Sequence, residues 1–178
     1  MLEKSKILAL IVSYNPTNMI SEVMEKIHDQ VDKFLIIDNS SRKENILIVH
    51  SLLKQYSNGE IIRNFVNYGI GRAVNQGIKY AMDQNYDWLV IFDQDSVPTQ
   101  NFISELIKIY EKYPKKEKVA IISGLTDIES EPEAEDIYFQ VTHTITSGSL
   151  IKLSIFNSVD MYNEEFFIDQ VDHEFCKR

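Results

Sequence analysis

Residues 88–96 read Trp-Leu-Val-Ile-Phe-Asp-Gln-Asp-Ser. An unbroken apolar run of this length is the pattern of a strand covered on both faces, the environment of a parallel sheet. The run gives way to Asp93 and Asp95, two carboxylates at alternate positions where the strand leaves the sheet. Such a pair repels itself unless a cation or a proton lies between its members. Working outward, three similar runs precede it. Ile7–Val12 ends at Ser13-Tyr-Asn-Pro16, Phe34–Ile37 ends at Asp38-Asn-Ser-Ser41, and Ile61–Phe65 is entered through an Asn58-Gly59 turn.

Between these strands the apolar period changes from a run to spacings of three and four. Ile20, Val23, Met24, Ile27 and Val31 predict one helix, with Thr17 or Asn18 as its N-cap. A second is expected over residues 43–56. A third opens after Asn67-Tyr-Gly-Ile-Gly71 and sets Val74, Ile78, Ala81 and Met82 on one face; a fourth spans roughly 100–113, before a fifth strand at Val119–Ile122. Strand and helix in alternation predict an α/β fold with a mostly parallel central sheet flanked by helices. Residues 140–153 read as a strand and turn centred on Thr146-Ser-Gly-Ser149, followed by a short helix and then Phe166-Phe-Ile168.

A chain of 178 residues with 44% apolar content is sized for one domain. Its net charge of −9 opposes non-specific binding to nucleic acid or to an anionic membrane surface. The imbalance is local. Residues 1–118 balance 15 acids with 15 bases, whereas residues 119–178 hold 12 acids against Lys152, Lys177 and Arg178. Six of those acids, from Asp127 to Asp136, sit in a stretch without a base and read as a solvated, mobile loop. The single cysteine, Cys176, excludes an internal disulfide framework and a thiolate-rich zinc site, so a reducing, cytoplasmic setting is expected. The apolar run at residues 7–12 is too short for a signal-peptide core or for the ~20 residues of a membrane span.

In open parallel sheets, ligands bind outside the carboxyl ends of the strands. The polar residues there are Ser13, Tyr14 and Asn15; Asp38, Asn39 and Ser40; Asn64 and Asn67; and Asp93 and Asp95. Asp93 and Asp95 are hard oxygen ligands of the kind that suits Mg²⁺ or Mn²⁺, bound together with water and substrate phosphates. The alternative is a solvated pair in which Asp95 or Ser96 caps the next helix. The glycine-rich segment 67–77 fails as a dinucleotide fingerprint, because Val74 stands where the third glycine belongs and the segment follows strand three. Either the helix N-terminus beside Arg72 attracts a phosphate, or the segment is a turn with helix packing through Ala73 and Gly77. Near the end, Asp169, Asp172, His173 and Glu174 cluster after Phe166-Phe167. If a helix starts here, Asp169 and Asp172 share a face. One of them in a partly apolar cleft suits a general base on a hydroxyl, and a capped acidic first turn is the competing explanation.

Taken in order, the strings Val12–Pro16, Ile36–Ser40, Asn67–Gly77, Trp88–Ser96, Thr146–Ser149 and Phe166–Arg178 resemble the family 2 glycosyltransferases of GT-A fold, in their rhamnosyltransferase-like branch. The resemblance covers nearly the whole chain. It implies that Tyr14 and Asp38 hold the nucleoside of a sugar nucleotide, with Ser13, Asn15, Asn67, Arg72 and Gln94 nearby. It implies a divalent cation, Mg²⁺ or Mn²⁺, at Asp93 and Asp95 on the donor diphosphate, and a sugar and acceptor lining at Ser147 and Gly148. Asp172 matches the expected catalytic base, and Glu174 the next acid of that motif. Val171 replaces a glutamate common in the wider family, and Asp169 supplies an acid earlier, so the choice between Asp169 and Asp172 stays open.

Residues 1–178 are thus expected to form one GT-A domain, with a donor-binding half over 1–123 and an acceptor and base segment over 124–178. The implied activity is inverting, metal-dependent transfer of a sugar, rhamnose being one candidate, from a dTDP- or UDP-type donor to a saccharide or lipid-linked hydroxyl in bacterial cell-surface polysaccharide synthesis. Because the chain ends at Arg178, just after the base, truncation is expected, with peripheral association at the inner membrane face supplied by a following segment. Two other functions compete. A nucleotidyltransferase would want a Gly- and Arg/Lys-rich loop where Ser13-Tyr-Asn-Pro16 stands, and an inactive sugar-nucleotide-binding fragment would keep the donor site without turnover.

Overall fold

The computed structural model describes residues 5–124, 138 and 140–178. The acidic run from Asp127 to Asp136 lies outside the described residues. Among the described residues, six strands form one sheet: β1 Ile7–Ser13, β2 Lys33–Asp38, β3 Gly59–Arg63, β4 Trp88–Asp93, β5 Ile121–Ser123 and β6 Ser149–Lys152. Five helices accompany them: α1 Met19–Ile27, α2 Lys43–Leu53, α3 Ile70–Asp83, α4 Phe102–Lys112 and α5 Val171–Cys176. The sheet order is β3-β2-β1-β4-β6-β5. β1 pairs in parallel with β2 and β4, and β2 with β3.

The apolar runs of the four parallel strands do what their composition predicts, covering both sheet faces by strict alternation. On β1, Ala9 and Ile11 join Val90, Phe92, Ile36 and the buried faces of α1 and α4. Leu8 and Leu10 join Leu89, Ile91, Leu35 and the α3 residues Ala73, Val74, Ile78 and Ala81 on the opposite face. α3 can approach that closely because Gly77 faces Leu10, whose side chain fills the space a Cβ would need.

Several boundaries differ from the sequence expectation. β3 runs two residues earlier, because Phe65 takes φ 60°, a left-handed conformation that ends the strand. Val31 falls beyond α1, whose N-cap is Asn18 without a side-chain cap. Asp95 and Ser96 cap no helix, since α4 starts at Phe102 behind Asn101. The expected strand over 140–153 shortens to β6, which runs antiparallel between β4 and β5 and is followed by a 3-10 turn over Leu153–Asn157. The chain direction therefore reverses at one edge of an otherwise parallel sheet. Among the described residues, no helix is long and apolar enough to cross a membrane.

Candidate active site

β2 and β3 lie on one side of β1, and β4 lies on the other. The carboxyl ends of β1 and β4 thus flank the switch point at which such a sheet opens a crevice. A cavity of about 450 Å³ occupies it, lined by Val12, Tyr14, Asn39, Asn67, Gly69, Ile70, Asp93, Gln94, Asp95, Phe167 and Ile168. Tyr14, Asn67, Asp93, Gln94 and Asp95 are therefore gathered from three separate loops, as their positions at strand ends predicted.

Asp93 stands in register with Val12, at the last position of β4. Burial, reinforced by the neighbouring Asp95 carboxylate, holds its carboxyl above the ordinary aspartate range, and the more distant Asp172 charge adds to this. A side-chain hydrogen bond from Ser147 opposes the shift. Ser147 Oγ also accepts the Asp93 backbone N–H at 3.1 Å, and the Gly148 N–H donates to Ile91 O at 2.7 Å. The 146–149 turn is thereby seated on the end of β4. Gly148 adopts φ 75°, a conformation open to glycine.

The carboxylate pair fits a divalent cation. Its oxygens are the hard ligands that Mg²⁺ and Mn²⁺ prefer, and a cation would relieve the repulsion that perturbs Asp93. Among the described residues, no group of three or more His, Cys, Asp or Glu side chains is arranged to hold a metal ion. Such an ion would accordingly draw further ligands from water and substrate phosphate.

Other expected site residues take different places. Asp38 is 0% exposed and lies outside the cavity wall. Its Oδ1 accepts from Ser13 Oγ at 3.3 Å and from the Ser40 N–H at 3.0 Å, while Ser40 Oγ accepts the Asn15 N–H at 2.7 Å. Ser13, Asn15 and Asp38 therefore shape the loop that presents Tyr14, and Asp38 Oδ2 is buried with no hydrogen-bond partner among the described residues. Gln94 spends its amide on Tyr14, accepting the backbone N–H at 2.9 Å and donating to the carbonyl at 3.3 Å. Arg72 is exposed, stacks on Tyr68 at 4.0 Å and is absent from the wall. At that helix end the Ile70 N–H donates to Phe167 O at 2.8 Å, so this one donor is committed to the 162–167 stretch.

At the acidic C-terminal segment, α5 begins at Val171 after Gln170 at φ 65°. Asp169 thus precedes the helix and shares no helical face with Asp172. Both oxygens of Glu174 are engaged by Arg178, which also holds the carbonyls of Asp160 and Met161. Glu174 braces α5. Tyr162, which sequence reasoning missed, stacks on Phe175 with ring centroids 4.1 Å apart, and burial pushes its phenol strongly upward. Asn39, expected among the polar residues at strand ends, does line the cleft, whereas Phe167 and Ile168 were missed as wall residues. Their signal was available: apolar residues left exposed beside an acidic segment.

An open α/β sheet with paired carboxylates at its switch point has the architecture in which ligands bind outside the carboxyl ends of the strands. The model of glycosyl transferase family 2 matches residues 9–156, and the chain belongs to that family. The dTDP-rhamnosyl transferase RfbF of Shigella flexneri is 26% identical over 98% of this chain and 63% of its own length. The low-salt glycan biosynthesis hexosyltransferase Agl10 of Haloferax volcanii is 24% identical over 95% of this chain and 60% of its own. The chain thus spans less than two thirds of these relatives. A mannosyltransferase from Pyrobaculum calidifontis, solved with GDP-Man and Mn²⁺, shares the fold with a TM-score of 0.73 at 14% identity, over 96% of this chain and 50% of that one. The Staphylococcus aureus TarS 1–349 structure with UDP aligns at a TM-score of 0.72 and 12% identity, over 96% of this chain and 54% of its own.

Proposed function

We propose that this chain is the donor-binding and catalytic part of an inverting glycosyltransferase. It transfers a sugar, with rhamnose the first candidate, from a dTDP- or UDP-type donor to a hydroxyl of a saccharide or lipid-linked acceptor in cell-surface polysaccharide synthesis. The observation that carries the reading is the cleft at the β1/β4 switch point, where Asp93 and Asp95 share a wall with Tyr14 and Asn67 while the Asp172 charge reaches Asp93. The rhamnosyl and hexosyl relatives and the nucleotide-bound neighbours support the donor class.

In this mechanism Tyr14 and Asn67 hold the nucleoside, and Asp38 acts from behind by fixing the 13–15 loop. Asp93 and Asp95 would hold Mg²⁺ or Mn²⁺, whose chemistry is Lewis-acid stabilisation of the departing diphosphate. Asp172 takes the proton of the acceptor hydroxyl as that oxygen attacks the anomeric carbon. The bond from that carbon to the diphosphate oxygen breaks, and its electron pair leaves with the nucleoside diphosphate. Asp172 is favoured over Asp169 because it lies half-buried in the first turn of α5, whereas Asp169 is exposed ahead of that helix.

The test is a screen of nucleotide sugars with Mn²⁺, scoring transfer and donor hydrolysis beside binding by calorimetry. Turnover with one donor is the expected result. Donor binding without turnover would favour the inactive binding fragment, and no binding of any nucleoside diphosphate would overturn the reading.

A further inference from the structure

The segment 67–77 carries three residue choices, at Asn75, Gly71 and the wall residue Gly69, whose packing the donor site does not explain. Asn75 is 4% exposed on the otherwise apolar face of α3. Its Nδ2 donates to Tyr162 O at 2.8 Å and to Glu164 Oε1 at 3.0 Å, and its Oδ1 accepts the Tyr162 N–H at 2.9 Å. One side chain thus satisfies both backbone groups of a residue 87 positions away. Four residues earlier, a Cβ on Gly71 would stand 2.9 Å from Asn163 O and 3.3 Å from Phe166 O. At Gly69, φ is +83° and a Cβ would stand 2.5 Å from Phe167 O. That carbonyl is the one accepting the Ile70 N–H.

These contacts lie in a row along one edge of α3 and touch one continuous stretch, residues 162–167. That stretch ends at the cleft-wall residues Phe167 and Ile168 and leads within five residues to Asp172. α5 is too short to hold its own position. Its location is set by what precedes it and by the stacking of Phe175 on Tyr162. Tyr162 is therefore the joint: its backbone is fixed by Asn75, and its ring carries α5.

We propose that Asn75, with Gly71 and Gly69, is a positioning device that docks residues 162–167 on α3 and so places the Asp172 carboxylate over the cleft. This rests on the functional reading above. The amide is suited to the task because it carries an NH2 donor and a carbonyl acceptor side by side, matching the C=O and N–H of one residue. Glycine at 69 and 71 allows the backbones to meet. Misplacement of a reacting group by about 1 Å costs on the order of 10²-fold in rate, so the device acts on turnover far more than on donor binding.

The experiment compares Asn75→Ala and Gly71→Ala with the unaltered chain. Gly71→Ala removes no polar partner and favours the helix, yet lifts the docked segment, so it keeps the test sound if Asn75→Ala fails to fold. The expected result is a fall in kcat of about 10²-fold, with a much smaller change in the calorimetric affinity for the Mn²⁺–donor complex. Amide exchange at residues 162–172 should speed up in both variants. Equal losses of affinity and kcat, or unchanged kcat in both, would overturn the proposal, as would unchanged exchange. If the unaltered chain transfers no sugar with any donor, the functional reading fails, while faster exchange in both variants still upholds the docking itself.

Discussion

Asp93 is ionised at a cost that the protein alone does not offset. Its folded pKa is raised by burial first and by Asp95 second, so the charged form is disfavoured relative to the unfolded chain. For an acid raised in this way the penalty is absent below the unfolded pKa and complete above the folded one. Asp93→Asn should therefore raise the metal-free melting temperature at pH 7, with the gain disappearing as pH falls through the carboxylate range. Thermal scans across pH check this. The same substitution should abolish Mn²⁺-dependent donor binding by calorimetry. In the unaltered protein, Mn²⁺ affinity should fall on acidification at a higher pH than an ordinary aspartate, ~3.9, would dictate. Asp172→Asn should lower transfer by ~10²–10⁴-fold while donor affinity is kept, and full activity would remove Asp172 from its role. The acids at strand ends were legible as site candidates because their positions follow from where apolar runs stop. The commitment of Gln94 to the Tyr14 backbone and of Glu174 to Arg178 was not, because those partners depend on how loops meet.

At the scale of elements, α5 depends on tertiary support. It spans Val171–Cys176, and its buried face consists of Val171 and Phe175. Phe175 is 4% exposed and stacks on both Tyr162 and Phe156. Phe175→Ala should cost about 3–5 kcal/mol, an upper bound if the helix merely detaches. Chemical denaturation measures the loss. Far-UV circular dichroism should change little, since α5 contributes only six helical residues, while transfer should be lost with the placement of Asp172. α1, α3 and β4 were readable within a few residues, because period and run length are local properties. β6 was not, because whether an apolar stretch inserts parallel or antiparallel depends on which neighbour already has an open edge.

For the whole molecule, the charge distribution separates chemistry from bulk. The balanced first 118 residues supply the four parallel strands β1–β4 and most of the cleft wall, so a diphosphate meets no strong repulsive field there beyond Asp93 and Asp95 themselves. On the proposed function, a cation at that pair would be the main requirement for donor binding. Mn²⁺ together with a nucleoside diphosphate at 100 times its dissociation constant should add ~2.7 kcal/mol of stability. For a chain of this size that is a rise of roughly 5–10 °C in Tm. Differential scanning fluorimetry with EDTA as the comparison should show the rise only when metal is present.

By itself the sequence determined the α/β class, the order of strands and helices, and the siting of Asp93, Asp95 and Tyr14 at strand ends. These follow from apolar spacing within a few residues and from the rule that such sheets open at their carboxyl ends. The tertiary structure decided that Asp169 precedes α5 while Asp172 lies in its first turn, that Asp38 is buried behind the wall, and that the start of α3 packs on the 162–167 stretch. Those outcomes depend on contacts such as Asn75 with Tyr162, 87 residues apart. No local pattern encodes such a pairing, because it exists only once both elements have packed on the same face of the sheet.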